Sequence, residues 1–173
     1  MSHRSQRPGN HEPPTPSRSV QRLEALVGRW RTEGHIVGEP PIPVMGTDIY
    51  EWLPGGFFLV HHVDVLIQDQ PVQAIEIIGE LDQATGSIIG RAYDNRGEMT
   101  ILYATVDAQG VWTFTGGADI APVAQPSSAD ARGAVRSTLT VSPDRSGMTA
   151  MWERSDNGTD WEPWMHIRFT RMP

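Results

Sequence analysis

From Gly28 to the C-terminus, apolar and polar residues alternate in short runs, and each run ends at a cluster of Asp, Asn, Gly or Pro. Side chains on a strand point alternately to opposite faces, so this period of two predicts half-buried strands separated by tight turns. The turn signals include Pro54-Gly55-Gly56, Asp94-Asn95-Arg96-Gly97, Asp107-Ala108-Gln109-Gly110 and Asp156-Asn157-Gly158. Asp and Asn bond the neighbouring backbone in such turns, and Gly supplies positive φ. The runs between them are rich in Val, Ile, Thr and aromatics. They place ten strands near 28–37, 44–53, 57–68, 72–81, 87–93, 98–106, 111–116, 134–142, 147–155 and 161–171.

Ahead of the strands, Val20, Leu23, Leu26 and Val27 form one apolar stripe at helical spacing. This predicts a short helix from Ser19 to Val27, capped by Ser19 and stopped by Gly28. Short links make sequential strands antiparallel neighbours, and the sequence shows no second helical pattern to cover a sheet face. A long meander of this kind removes its exposed edges by closing on itself. The expected fold is therefore all-β: a single antiparallel up-and-down barrel of about ten strands over residues 18–173, with a short N-terminal helix. Residues 1–17, with four prolines and few apolar side chains, read as a disordered tail. The link 117–133 is long and polar, the type of segment that serves as a lid or an interface arm. A homodimer docked through it is one partner reading.

Composition narrows the function classes. The chain has no cysteine, which excludes disulfides, iron–sulfur clusters and thiolate zinc sites. Formal net charge is −7, and residues 1–18 are basic (Arg4, Arg7 and Arg18 against Glu12), so the acid excess lies on the remainder. An acidic body repels phosphate backbones, so no nucleic-acid partner is expected. No apolar run has the ~20 residues a membrane helix needs, and there is no signal-peptide pattern. The expected location is cytoplasmic.

The stretch Gly28-Arg29-Trp30, directly after a short helix, resembles the Gly-x-Trp signature of lipocalin-like (calycin) barrels. It is also similar to the Gly-x-Trp-x-Gly-x-Gly opening of the nitrobindins, with Thr32 in place of the middle Gly. The segment Trp52-Leu53-Pro54-Gly55-Gly56-Phe57-Phe58-Leu59, with Gly79-Glu80-Leu81-Asp82, Tyr93-Asp94 and Gly97, resembles an uncharacterised bacterial family of lipocalin-like barrels. That resemblance implies the barrel fold and no particular activity. It also implies that Trp30 plugs one barrel end, with an arginine from the last strand stacked on it; Arg171 is the candidate.

Nitrobindins use a last-strand histidine as axial heme ligand, so the resemblance makes His166 the candidate for heme. Strand parity opposes this. Met165, Ile167, Phe169 and Arg171 share the more apolar face, which places His166 on the other. Without heme, no cofactor and no metal are expected. His61 shares its face with Phe57, Leu59, Val63, Val65 and Ile67, an otherwise apolar row, and should point inward. His62 and Asp64 share the opposite face and read as a solvated surface pair. Asp48 and Glu76 are mid-strand carboxylates. On the fourth strand, however, Ile75, Ile77 and Leu81 claim the inner face, which puts Glu76 and Glu80 outside. Neither a nucleophile elbow nor a phosphate-cradling loop occurs.

The leading expectation is a non-enzymatic module that holds a small, largely apolar ligand in the barrel. His61 and Tyr103 are its polar anchors, and Trp152, Met165 and Phe169 are lining residues. The alternatives are heme binding through His166 and an enzyme that uses His61 as acid or base.

Overall fold

A computed structural model describes residues 14–117 and 133–173. The chain enters through a helical turn α1 (Arg18–Gln21), followed by a 3-10 turn (Arg22–Ala25). Ser17, not Ser19, caps it: its hydroxyl accepts the Val20 N–H at 3.2 Å. Val20, Leu23 and Leu26 are buried against the barrel. Burial of each leucine contributes roughly 1.5–3 kcal/mol, which explains why so short a helix is held. It closes one end of the barrel.

Ten strands follow: β1 (Gly28–Ile36), β2 (Ile42–Trp52), β3 (Leu59–Ile67), β4 (Gln70–Leu81), β5 (Ile88–Asp94), β6 (Met99–Val106), β7 (Trp112–Gly116), β8 (Ala134–Val141), β9 (Gly147–Ser155) and β10 (Glu162–Arg171). Each pairs antiparallel with its sequence neighbour, and β1 pairs with β10 to close the barrel, from Trp30↔Arg171 to Ile36↔Met165. The expected ten-stranded meander is the fold found. β3 begins at Leu59, later than the sequence suggests, because Phe57 and Phe58 belong to the preceding turn. There the Leu53 N–H donates to the Phe58 carbonyl and the Gly56 N–H to that of Leu53. Gly55 (φ 103°) and Gly56 (φ 72°) take the left-handed conformations this turn requires.

Trp30 is fully buried at the helix end, and its indole N–H donates to the Leu26 carbonyl at 2.9 Å. The Arg171 guanidinium lies 4.4 Å from the Trp30 ring centroid and donates to the carbonyls of Val27 and Arg145.

The fourth strand departs from the expected parity. Its register shifts between Ile78 and Glu80, a bulge at Gly79. That glycine passes so close to the Phe57 carbonyl that no Cβ would fit. Before the bulge Glu76 and Ile78 face inward; after it Leu81 does. Parity read backward from Leu81 therefore fails, and Glu76 is buried inside while Ile75 is exposed. Glu80 lies outside as expected, paired with Arg91 at 3.0 Å.

Inner positions grade along the barrel. Trp30, Leu59, Ile78 and Trp112 at the helix end are fully buried. Ile36, Ile67, Trp152 and Met165 at the other end are half-buried, and Thr100 is exposed. The link proposed as a lid or dimer arm falls almost wholly on 118–132, outside the described residues, as does most of the N-terminal tail.

Candidate functional site

The chemistry-bearing residues of the interior meet on β1–β4. Tyr50, His61 and Glu76 are direct cross-strand partners on β2, β3 and β4, one inner layer above the buried pair Leu59↔Ile78. Asp48 sits diagonally from His61, a separation that long side chains can bridge. His61 Nε2 lies 2.6 Å from Asp48 Oδ1, and Nδ1 lies 3.1 Å from Glu76 Oε2. The imidazole stacks on Tyr50 with centroids 3.8 Å apart and planes 10° apart. The Thr32 hydroxyl donates to the other Asp48 oxygen. The side chains of His61, Asp48 and Glu76 are only 11%, 6% and 9% exposed.

Both ring nitrogens face carboxylate oxygens, so the row is best satisfied when both carry protons. Burial pushes the His61 pKa down, but the hydrogen bonds and charges of Asp48 and Glu76 outweigh it and lift the value from 6.5 to about 9. At neutral pH His61 is an imidazolium that donates on both sides, and it has no lone pair with which to act as a base. Burial, followed by the nearby Asp48 and Glu76 charges, lifts the Tyr50 pKa well above its ordinary value, so Tyr50 stays neutral.

The imidazolium makes stability depend on pH. Below about pH 6.5 His61 is protonated both folded and unfolded, and its pairing contributes in full. As pH rises toward 9 the unfolded chain has lost the proton that the folded chain keeps, so stability falls, by roughly 3 kcal/mol in all. Urea midpoints between pH 6 and pH 10 are expected to show this decline, with the His61 ring resonances titrating near 9. Titration near 6.5 would contradict the row.

One glycine sets the position of Glu76. A Cβ on Gly90 of β5 would overlap Glu76 Oε1, whereas no positive φ requires glycine there. Gly90→Ala is therefore expected to move the carboxylate off His61. Overpacking should cost about 1–3 kcal/mol and the His61 titration should shift to lower pH, read by urea denaturation and NMR. Unchanged titration would mean that the carboxylate does not need this space.

The other sequence candidates are dispersed. Trp152 and Met165 pair directly at the half-buried end, and Phe169 is buried deeper beside Met148. Tyr103 is a correction: Leu102 and Ala104 take the inner face of β6, so Tyr103 lies on the outer wall, away from His61. His166 is also on the outer wall, its ring stacked on His35 at 5.4 Å. It cannot serve as an axial ligand in the lumen, so the residues present do not fit a heme held there by His166. His62 pairs with Glu51 at 3.5 Å, and Asp64 instead accepts from Gln73, so the pair His62–Asp64 is not formed. Among the described residues, no group of three or more His, Asp or Glu side chains is arranged to hold a metal ion; Asp48, His61 and Glu76 bond one another instead. A surface groove of about 900 Å³ crosses the outer wall of β2–β5, lined in part by His62, Ile75 and Tyr93. It includes none of Asp48, His61 and Glu76.

The sequence model of a family described as proteins of unknown function, DUF1579, matches residues 15–171. The chain belongs to the DUF1579 family. No curated protein matches it. Among solved structures, the DUF1579 chain is similar to the crystal structure of Rv2717c from M. tuberculosis. The two share 13% identity and a TM-score of 0.61, over 91% of this chain and 99% of that one. At that identity the likeness concerns the fold alone. No helix among the described residues of the DUF1579 chain is long and apolar enough to cross a membrane.

Proposed function

We propose that this barrel binds a small, largely apolar molecule, admitted at the end opposite the helix and oriented by the Tyr50–His61–Glu76 row. The observation that carries the reading is a charged row buried among apolar side chains of the interior. Replacing such a row whole by apolar side chains would cost little net stability, because desolvation offsets the attraction; its value lies in specificity. The grading from sealed to half-buried inner positions supports one-sided access. Apolar lining with a few convergent polar groups is the usual make-up of small-ligand sites. Locking of His61 as a two-sided donor favours binding over acid–base catalysis.

Native mass spectrometry of the full chain titrated with the neutral apolar dye Nile red tests the proposal. Saturable 1:1 binding is expected, abolished in Ala92→Phe, which fills the inner position paired with Glu76. No saturable complex, or one indifferent to Ala92→Phe, would overturn it.

A further inference from the structure

We propose that the ligand of this interior site carries a positive charge or a strong N–H donor on its apolar body, an alkyl or aryl ammonium being the simplest form. This rests on the binding reading above and names its ligand class. The first support is stoichiometry. Asp48 and Glu76 bring two formal negative charges to the single imidazolium of His61, so one negative charge is left over in the interior. Among the described residues, no arginine is paired with either carboxylate: the ion pairs of Arg91 and Arg136 are with Glu80 and Glu153, and Arg171 bonds backbone carbonyls. Thr32 contributes a dipole to Asp48 but no charge.

The second support is Glu76 Oε1, a buried side-chain oxygen with no hydrogen-bond partner among the described residues. A buried unpaired polar atom costs about 1–3 kcal/mol, more for a charged group, and a donor on a ligand recovers that cost. Its partner oxygen already holds His61, so Oε1 is the acceptor that remains. The Tyr50–His61 stack is buried on the same inner face and offers an aromatic wall to an apolar body. An anionic ligand would add a third negative charge to the row, and a neutral one would leave the excess uncompensated.

The test compares three probes of one chain length at pH 7: n-octylammonium, 1-octanol and n-octanoate, titrated into the full chain by calorimetry. The ammonium should bind about tenfold or more tighter than the alcohol, the return on one charged hydrogen bond, and the carboxylate should bind most weakly. In Glu76→Gln the ammonium's advantage over the alcohol should vanish. A second readout uses the unaltered protein. Octylammonium should lower the His61 titration midpoint, because two cations then share the carboxylates, and octanol should leave it unmoved.

Equal binding of ammonium and alcohol would overturn the inference and leave the binding reading intact. An ammonium preference that survives Glu76→Gln, or that leaves the His61 titration unchanged, would place the cation on the outer wall and equally overturn it. If none of the three probes binds, the binding reading itself fails, and this inference with it.

Discussion

His61→Leu is expected to destabilise the barrel by about 3–5 kcal/mol, the cost of removing one partner from a buried ionic group. The substitution is close to volume-conserving, so little of this loss comes from packing. It arises because Asp48 and Glu76, each under a tenth exposed, would face each other across the space that the imidazolium had bridged. The sign of the pH response should reverse as well. The wild-type contribution of His61 is full in acid and fades toward pH 9, whereas the variant should gain stability as acid neutralises the stranded carboxylates. Adding Asp48→Asn and Glu76→Gln removes both charges and should return most of the loss. Urea denaturation of the single and triple variants at pH 5 and pH 8 measures all three effects. A single variant within about 1 kcal/mol of wild type would show that the row is not an ionic unit.

Trp30→Ala should cost about 3–5 kcal/mol through the cavity left by a large buried side chain. Three further contacts go with the indole: its bond to the Leu26 carbonyl, the face on which Arg171 stacks, and the floor beneath Leu23 and Leu26. The helical segment is a single α turn and a 3-10 turn, too short to persist without tertiary packing. It should therefore detach in this variant. Hydrogen exchange would show residues 18–26 unprotected before global unfolding, and calorimetry would give the loss. Arg171→Ala is the milder control, about 1–2 kcal/mol, since it removes an exposed cation–π contact and two exposed bonds to backbone carbonyls and leaves the core. Retained protection of the helix in Trp30→Ala would show that the plug does not depend on the indole.

The period-two alternation and the Asx–Gly turns are local signals, and they made ten antiparallel strands and their order legible in the sequence. The apolar row through Leu59, Val63 and Val65 likewise indicated that His61 points inward, because one strand's parity is a property of that strand alone. The same logic failed on β4. Gly79 inserts an extra residue, and the faces on its two sides are out of step. Parity extrapolated from Leu81 placed Glu76 outside, although a glycine inside a strand pattern is the known mark of a bulge. Tyr103 was misplaced for a related reason: β6 carries apolar residues on both faces, and Met99 and Ile101 form as apolar a row as Leu102 and Ala104.

What lay beyond the sequence is the meeting of Thr32, Asp48, His61 and Glu76. Hydrophobic periodicity and turn chemistry act over a few residues, so the chain by itself determined the strands, the closed barrel and the inward histidine. Which carboxylates reach that histidine depends on inter-strand register and on one bulge. Their effect on its proton depends on burial, which exists only once the barrel has closed.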